Sequence, residues 1–225
     1  MSATKRGPNK KLDGNQRFTI NEIEDNGRPI APKEHARMFV NQCGVIVRDN
    51  LPITIQEWIK PKNVGDLASY VDERTKDLLW QKLIAHFILP PEYEEFGADG
   101  TPIPGGLERR KRVKDWALSK MAEQFRNYKK KLYAQYVAKK ITPNFTRALE
   151  KLREQWPEFV AYKESSVAKE RSEKNKKNAQ KKKYHHKLGT GGYKSAVPKW
   201  EAMEADMRAR EITSGIDGWP DRSKH

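Results

Sequence analysis

Cysteine occurs once, at position 43, which excludes an intramolecular disulfide and a zinc site built from cysteines, and fits a reducing compartment. No window approaches the roughly 18 consecutive apolar residues that a bilayer-spanning helix needs, and residues 1 to 11 are polar and basic, without the apolar stretch of a secretory signal. Apolar residues are scarce throughout, 36% against 33% charged, so part of the chain is expected to stay solvated around a folded middle. Catalytic signatures are missing as well. Gly189 to Gly192 lacks the Lys-Ser/Thr ending of a phosphate-binding loop, no Gly-x-Ser-x-Gly or His-Glu-x-x-His occurs, and acids such as Asp66, Asp72 and Asp77 share no strand framework that would gather them round a metal. His185-His186 has no nearby cysteine or third histidine, too few ligands to hold a metal. The expectation is a protein without enzymatic activity, cofactor or membrane span.

What the chain does have is positive charge. The net charge of +15 and a pI near 9.7 point to a polyanionic partner, because lysines and arginines that replace condensed counterions release them. The excess is concentrated. Residues 107 to 140 hold twelve Lys/Arg against Glu108, Asp115 and Glu123, and residues 163 to 187 hold ten against Glu164, Glu170 and Glu173, while the remainder is close to neutral.

The 225 residues leave the domain count open, and neither a fixed-period repeat nor an alternation of strands with helices is present. The expected fold is mainly α: a helical domain with at most one short β-hairpin, a basic N-terminal arm and a long basic C-terminal helix or tail. Residues 1 to 33 have little apolar periodicity and read as a disordered basic arm, with the helical core at 34 to 162. Within that core, the apolar groups at 38 to 40 and 45 to 47, the turn signal Arg48-Asp49-Asn50 and the alternating Ile53 and Ile55 predict a short hairpin. A helix capped by Asp66 is expected to run to Pro90-Pro91. The clearest pattern follows: Val113, Ala117, Met121, Phe125, Tyr128, Leu132 and Tyr136 recur every three or four residues, predicting a helix near 107 to 140 with one buried stripe and a basic exterior. Thr142-Pro143 predicts the start of a third helix ending at Trp156-Pro157. Trp58, Trp80, Trp116 and Trp156 read as core residues rather than base-stacking platforms. Residues 163 to 194 form a basic segment that is either a charged helix or unfolded, and 195 to 225 a C-terminal helix and tail, opened by Pro198, with Trp200, Met203 and Met207 on one side.

Two clusters are candidates for holding nucleic acid. In the tract from Lys174 to Lys187, a helical register puts Lys174, Lys177 and Lys181 on one face with Asn178 beside them, so that cations meet phosphates while an amide reaches a base edge. Asn175, Lys176, Lys182, Lys183, His185, Lys187, Tyr193 and Lys194 complete that candidate site, and the intervening glycines allow the backbone close to a phosphate. The tract also reads as a solvated charge run or a nuclear-import signal, which is compatible with DNA binding. The second cluster, Arg109-Arg110-Lys111-Arg112 with Lys114, sits at a helix start, where the amide ends already carry partial positive charge and an anion would relieve the repulsion.

Three stretches together resemble the plant transposon-encoded Ptta/En/Spm transposase-like family of CACTA-type elements. They are Phe39-Val40-Asn41-Gln42-Cys43-Gly44-Val45-Ile46-Val47-Arg48-Asp49, Val71-Asp72-Glu73-Arg74-Thr75-Lys76-Asp77-Leu78-Leu79-Trp80, and the run from Asn175 through Lys181-Lys182-Lys183-Tyr184-His185-His186 to Gly191-Gly192-Tyr193 and Pro198-Lys199-Trp200. The resemblance covers roughly residues 36 to 224 and implies a plant nuclear protein working with transposon DNA, an accessory binder beside a separate catalytic transposase. Relatives usually continue past Trp219-Pro220-Asp221-Arg222 with an aromatic-glycine-histidine segment, so a chain stopping at His225 is expected to be a truncated or domesticated copy. The alternative function is a helical interaction module that binds the transposase or itself through Trp200, Met203 and Met207.

Overall fold

The computed structural model describes residues 11–62, 69–181 and 192–210, and over these the protein is mainly α-helical with two small strand pairs. Its longest element is the helix the four-step stripe predicts, Gly106–Gln135, which becomes α3 in chain order. Val113, Ala117, Met121, Phe125 and Leu132 of the stripe are buried, as amphipathic spacing requires, and Tyr128 is half-buried, its phenol pKa raised chiefly by that burial. The helix ends at Tyr136, where the chain tightens into a 3-10 turn, Val137–Lys139.

Against α3 lies α1, Lys33–Asn50, in the place where a hairpin was expected. The β-branched run Val45-Ile46-Val47 favours a strand locally, but Phe39, Cys43, Ile46 and Val47 also fall at helical spacing, and burial against α3 and its neighbours decides the conformation. Gly44 faces α3 at this contact: a Cβ there would require the Gln124 side chain to shift, and with it the hydrogen bond its Nε2 donates to the Val40 carbonyl at 2.8 Å.

The expected disordered arm is also corrected. Residues 1–10 lie outside the described residues, but 11–33 are ordered by strand pairing and by apolar anchors. Strand β1, Phe18–Thr19, runs parallel to β4, Phe87–Ile88, and β2, Glu22–Ile23, pairs antiparallel with β3, Pro29–Ala31. Ile20 is fully buried, and Phe18 packs on Phe87 and His35. The protein's one hairpin among the described residues is therefore the β2–β3 pair, turned by Gly27 at φ 88°. That glycine is required twice over, because a Cβ would be strained and would strike the Arg112 carbonyl of α3.

Helix α2, Glu73–Ile84, starts later and ends earlier than predicted, and its cap is Asp72, whose Oδ1 accepts from the Thr75 amide at 2.7 Å. The hydrogen bonds from Thr75 hold the Asp72 carboxyl below its usual pKa. Asp66, the expected cap, lies outside the described residues. Pro157 likewise reverses its predicted role. It sits in the first turn of α4, Trp156–Glu164, where a missing amide hydrogen costs nothing, and the expected helix from Pro143 is replaced by a 3-10 stretch over Arg147–Leu152.

The chain divides after Lys169 into two units. In the first, one core cluster joins α1, α2, α3 and the strands around Phe39, Leu79, Trp80, Leu83 and Met121, with Trp58 and Trp116 partly buried against it. A second cluster gathers Ile53, Leu132, Val137, Leu152, Trp156 and Phe159, and Gln155 Oε1 ties it to the loop after α1 by accepting from the Ile53 amide at 2.8 Å. The unit beginning at Glu170 contains the rest of α5, Ser166–Gln180, and α6, Gly192–Ala209, which starts before Pro198 rather than at it.

Candidate nucleic-acid interface

Helix α5 has no buried residue, and from Lys169 to Lys181 every side chain is exposed. The choice between a charged helix and an unfolded tract thus falls on the helix, at least as far as Gln180. Helical geometry gathers Lys174, Lys177 and Lys181 within one side, with Asn178 adjoining them and Asn175 further round. Lys176 faces another way and lies 3.9 Å from Glu173, an exposed contact that holds it weakly. Lys182, Lys183, His185 and Lys187 lie outside the described residues, and of Tyr193 and Lys194 only the backbone, in the first turns of α6, is described.

The basic start of α3 is different. Arg109 donates from Nε to the Glu92 carbonyl at 2.7 Å and from Nη2 to the Pro104 carbonyl at 2.8 Å. Arg110 reaches both carboxylate oxygens of Glu94 from Nη1 at 2.8 Å, and Lys114 Nζ meets Asp77 Oδ1 at 2.6 Å. The repulsion expected at this helix end is relieved from within the protein, by carbonyls and acids 5 to 37 residues away in sequence. Lys111 and Arg112 stay exposed, so this part of the predicted site shrinks from five cations to two. The three that are lost could not have been found from spacing along the helix, because their partners belong to the loop before α3 and to α2.

Other chemistry finds little support in the geometry. Cys43 is wholly buried, and desolvation pushes its thiol up to about 12, which leaves it a neutral core group at physiological pH. Among the described residues no cluster of His, Cys, Asp and Glu is arranged to hold a metal, and no buried side-chain nitrogen or oxygen lacks a hydrogen-bond partner. A cavity of about 440 Å³ opens between the 3-10 turn after α3 and α4, lined by Tyr136, Val137, Ile141, Trp156, Pro157 and Val160 with Lys140, Thr142 and Glu164. No helix among the described residues is long and apolar enough to cross a membrane. No family model, curated protein or solved structure matches the chain.

Proposed function

We propose that the protein is a non-catalytic DNA-binding accessory factor of a CACTA-type plant transposon, or a domesticated copy of one, acting in the nucleus. The observation that carries this reading is α5: a helix of fifteen residues with nothing buried and with Lys174 and Lys177 on one side, continued by Lys181, whose amide closes onto the Lys177 carbonyl just past the helix end. Such a helix has no buried face to stabilise it and is marginal by itself at this length; Glu170 and Glu173, four residues before Lys174 and Lys177, support it, while Lys177 and Lys181 repel along the same side. A row of phosphates removes that repulsion and supplies charge-assisted hydrogen bonds, so a polyanion is the partner that makes this sequence sensible. Asn178, beside the lysines, has the donor and acceptor pair that reads adenine in the major groove. The transposon context rests on the resemblance of the three sequence stretches, and a separate catalytic transposase is the partner it implies.

A gel shift with labelled duplex tests the reading. With about six phosphates neutralised, log affinity should fall against log salt with a slope near −5, and a flat response would count against it. Replacing Lys181, Lys182 and Lys183 by alanine should weaken binding to all sequences alike, whereas Asn178→Ala should change which sequence is preferred. The alternative, an interaction module, is favoured by α6, where Val197, Trp200 and Met207 form a half-covered stripe and Met203 is 56% exposed. A concentration-dependent size shift without DNA, combined with no retardation of duplex, would select it.

A further inference from the structure

The C-terminal half of α3 differs from its first half in a way that the exposure and pairing of its cations reveal. Residues 107 to 123 contain three acids, and three of the six cations there have carboxylate partners, in Arg110–Glu94, Lys114–Asp77 and Lys120–Glu123, while Arg109 is held by carbonyls and Lys111 and Arg112 are exposed. From 124 to 149 there is no Asp or Glu at all, against seven Lys/Arg. Lys129 of these seven is turned inward, donating to the Ile55 carbonyl and lying 4.5 Å over the Phe125 ring. The other six, Arg126, Lys130, Lys131, Lys139, Lys140 and Arg147, are exposed and form no ion pair among the described residues.

Their placement is not that of a uniformly solvated surface. Arg126, Lys130 and Tyr133 are separated by four and three residues, so they share one side of α3, turned away from buried Phe125 and Leu132, and Tyr133 is 41% exposed there. Lys139 and Lys140 follow in the turn that ends the helix. Lys140 and Arg147 both adopt left-handed backbone conformations, φ 56° and 53°, that residues with a Cβ rarely take. Acids that flank the group form no ion pair with it: Glu123 is held by Lys120 at 2.8 Å, Asp49 by Lys151 at 2.6 Å, and Glu164 lines the cavity with Lys140 without an ion pair.

We infer that this acid-free ledge is a second phosphate-contacting surface for nucleic acid, on the folded unit itself and separate from the tract in α5. The inference rests on the DNA-binding reading above and adds a site to it. Arg126 and Lys130 anchor the backbone of a duplex along one side of the helix, Lys139 and Lys140 extend the contact past its end, and Tyr133 donates its hydroxyl to a phosphate oxygen between them. Two separated phosphate grips on one chain raise the effective concentration of each for the same DNA molecule, so together they bind more tightly than either alone.

The test compares four full-length proteins on one duplex by fluorescence anisotropy across a salt series: wild type, Arg126→Gln/Lys130→Gln/Lys139→Gln, Lys174→Gln/Lys177→Gln/Lys181→Gln, and a control of equal charge loss, Arg37→Gln/Arg74→Gln/Lys82→Gln, at exposed positions on α1 and α2. Thermal melts confirm that each is folded. The ledge variant should bind at least roughly tenfold more weakly at moderate salt, with a slope shallower by roughly 0.9 for each contact removed, about 3 in all, while the control keeps the wild-type slope. A ledge variant with the wild-type slope, beside an α5 variant that has lost affinity, overturns the ledge and leaves the DNA-binding reading standing. A control that falls as far as the ledge variant also overturns it, since bulk charge then explains the loss. Absence of duplex binding by the wild type defeats both.

Discussion

Helices α3 and α5 are both rich in lysine and arginine, yet one is built into the protein and the other is not. The difference lies in the residues between the charges. In α3 every third or fourth position is apolar, and the stripe from Val113 to Leu132 is buried along its length. In α5 the corresponding positions are Ser, Ala, Asn and further charges, and no residue is buried. Charge density therefore says little about what a helix does; the periodicity of what separates the charges decides whether it supports a core or waits for a partner. The comparison extends inside α3. Arg109, Arg110 and Lys114 are spent on carbonyls and carboxylates of the same molecule, and of the cations after Gln124 on this helix only Lys129 is held in that way among the described residues.

The contrast can be broken most severely at Met121, which is completely buried beneath α3. Met121→Ala should cost about 2 to 5 kcal/mol through lost burial and the cavity left behind, read as a lower midpoint in urea, while Lys177→Ala on α5 should stay within about 0.5 kcal/mol of wild type. If both variants melted alike, α3 would not be the structural helix of the pair. A smaller loss is expected where the β2–β3 turn seats on α3: Gly27→Ala puts a side chain at φ 88° and against the Arg112 carbonyl, for a cost of about 1 to 3 kcal/mol, measurable by the same melts. The smallest effect sharpens the division within α3. Arg110→Gln breaks a half-exposed pair with Glu94, so it should cost only about 0.2 to 1 kcal/mol, shrink further in high salt, and leave duplex affinity nearly unchanged because that guanidinium is already occupied.

How far the fold was legible follows the strength of local pattern. The stripe located α3, which begins one residue before the expected 107 but ends at Gln135, five short of the expected 140, so that Tyr136, the last position of the stripe, has already left the helix. The same logic failed over 38 to 55, where β-branched residues suggested strands and only the packing partner, α3, settles the helix. The ordering of 11 to 33 was invisible for a related reason: Phe18, Ile20 and Ile23 make a weak local pattern, and their partners include Phe87, far along the chain. Pro157 could be read in two ways, as a helix stop or a helix start, and proline at the first turn satisfies both descriptions of the sequence around it. For the candidate interface, the exposed row on α5 was readable because helical spacing alone defines it. The loss of Arg109, Arg110 and Lys114 was not, because a cation's availability depends on acids and carbonyls brought to it by tertiary structure.

The parallel pairing of Phe18 with Phe87 has a consequence for how the chain assembles. Parallel strands cannot be joined by a tight turn, and here roughly seventy residues separate the two partners, including all of α1 and α2. As the polypeptide leaves the ribosome, its first strand must stay unpaired until β4 has been synthesised, so the amino-terminal apolar residues wait for that length of chain before they gain this shelter. Docking of α1 on α2 can run ahead of that closure, whereas docking on α3 draws on residues made after β4, so the amino-terminal strand is a latch on the fold rather than its seed.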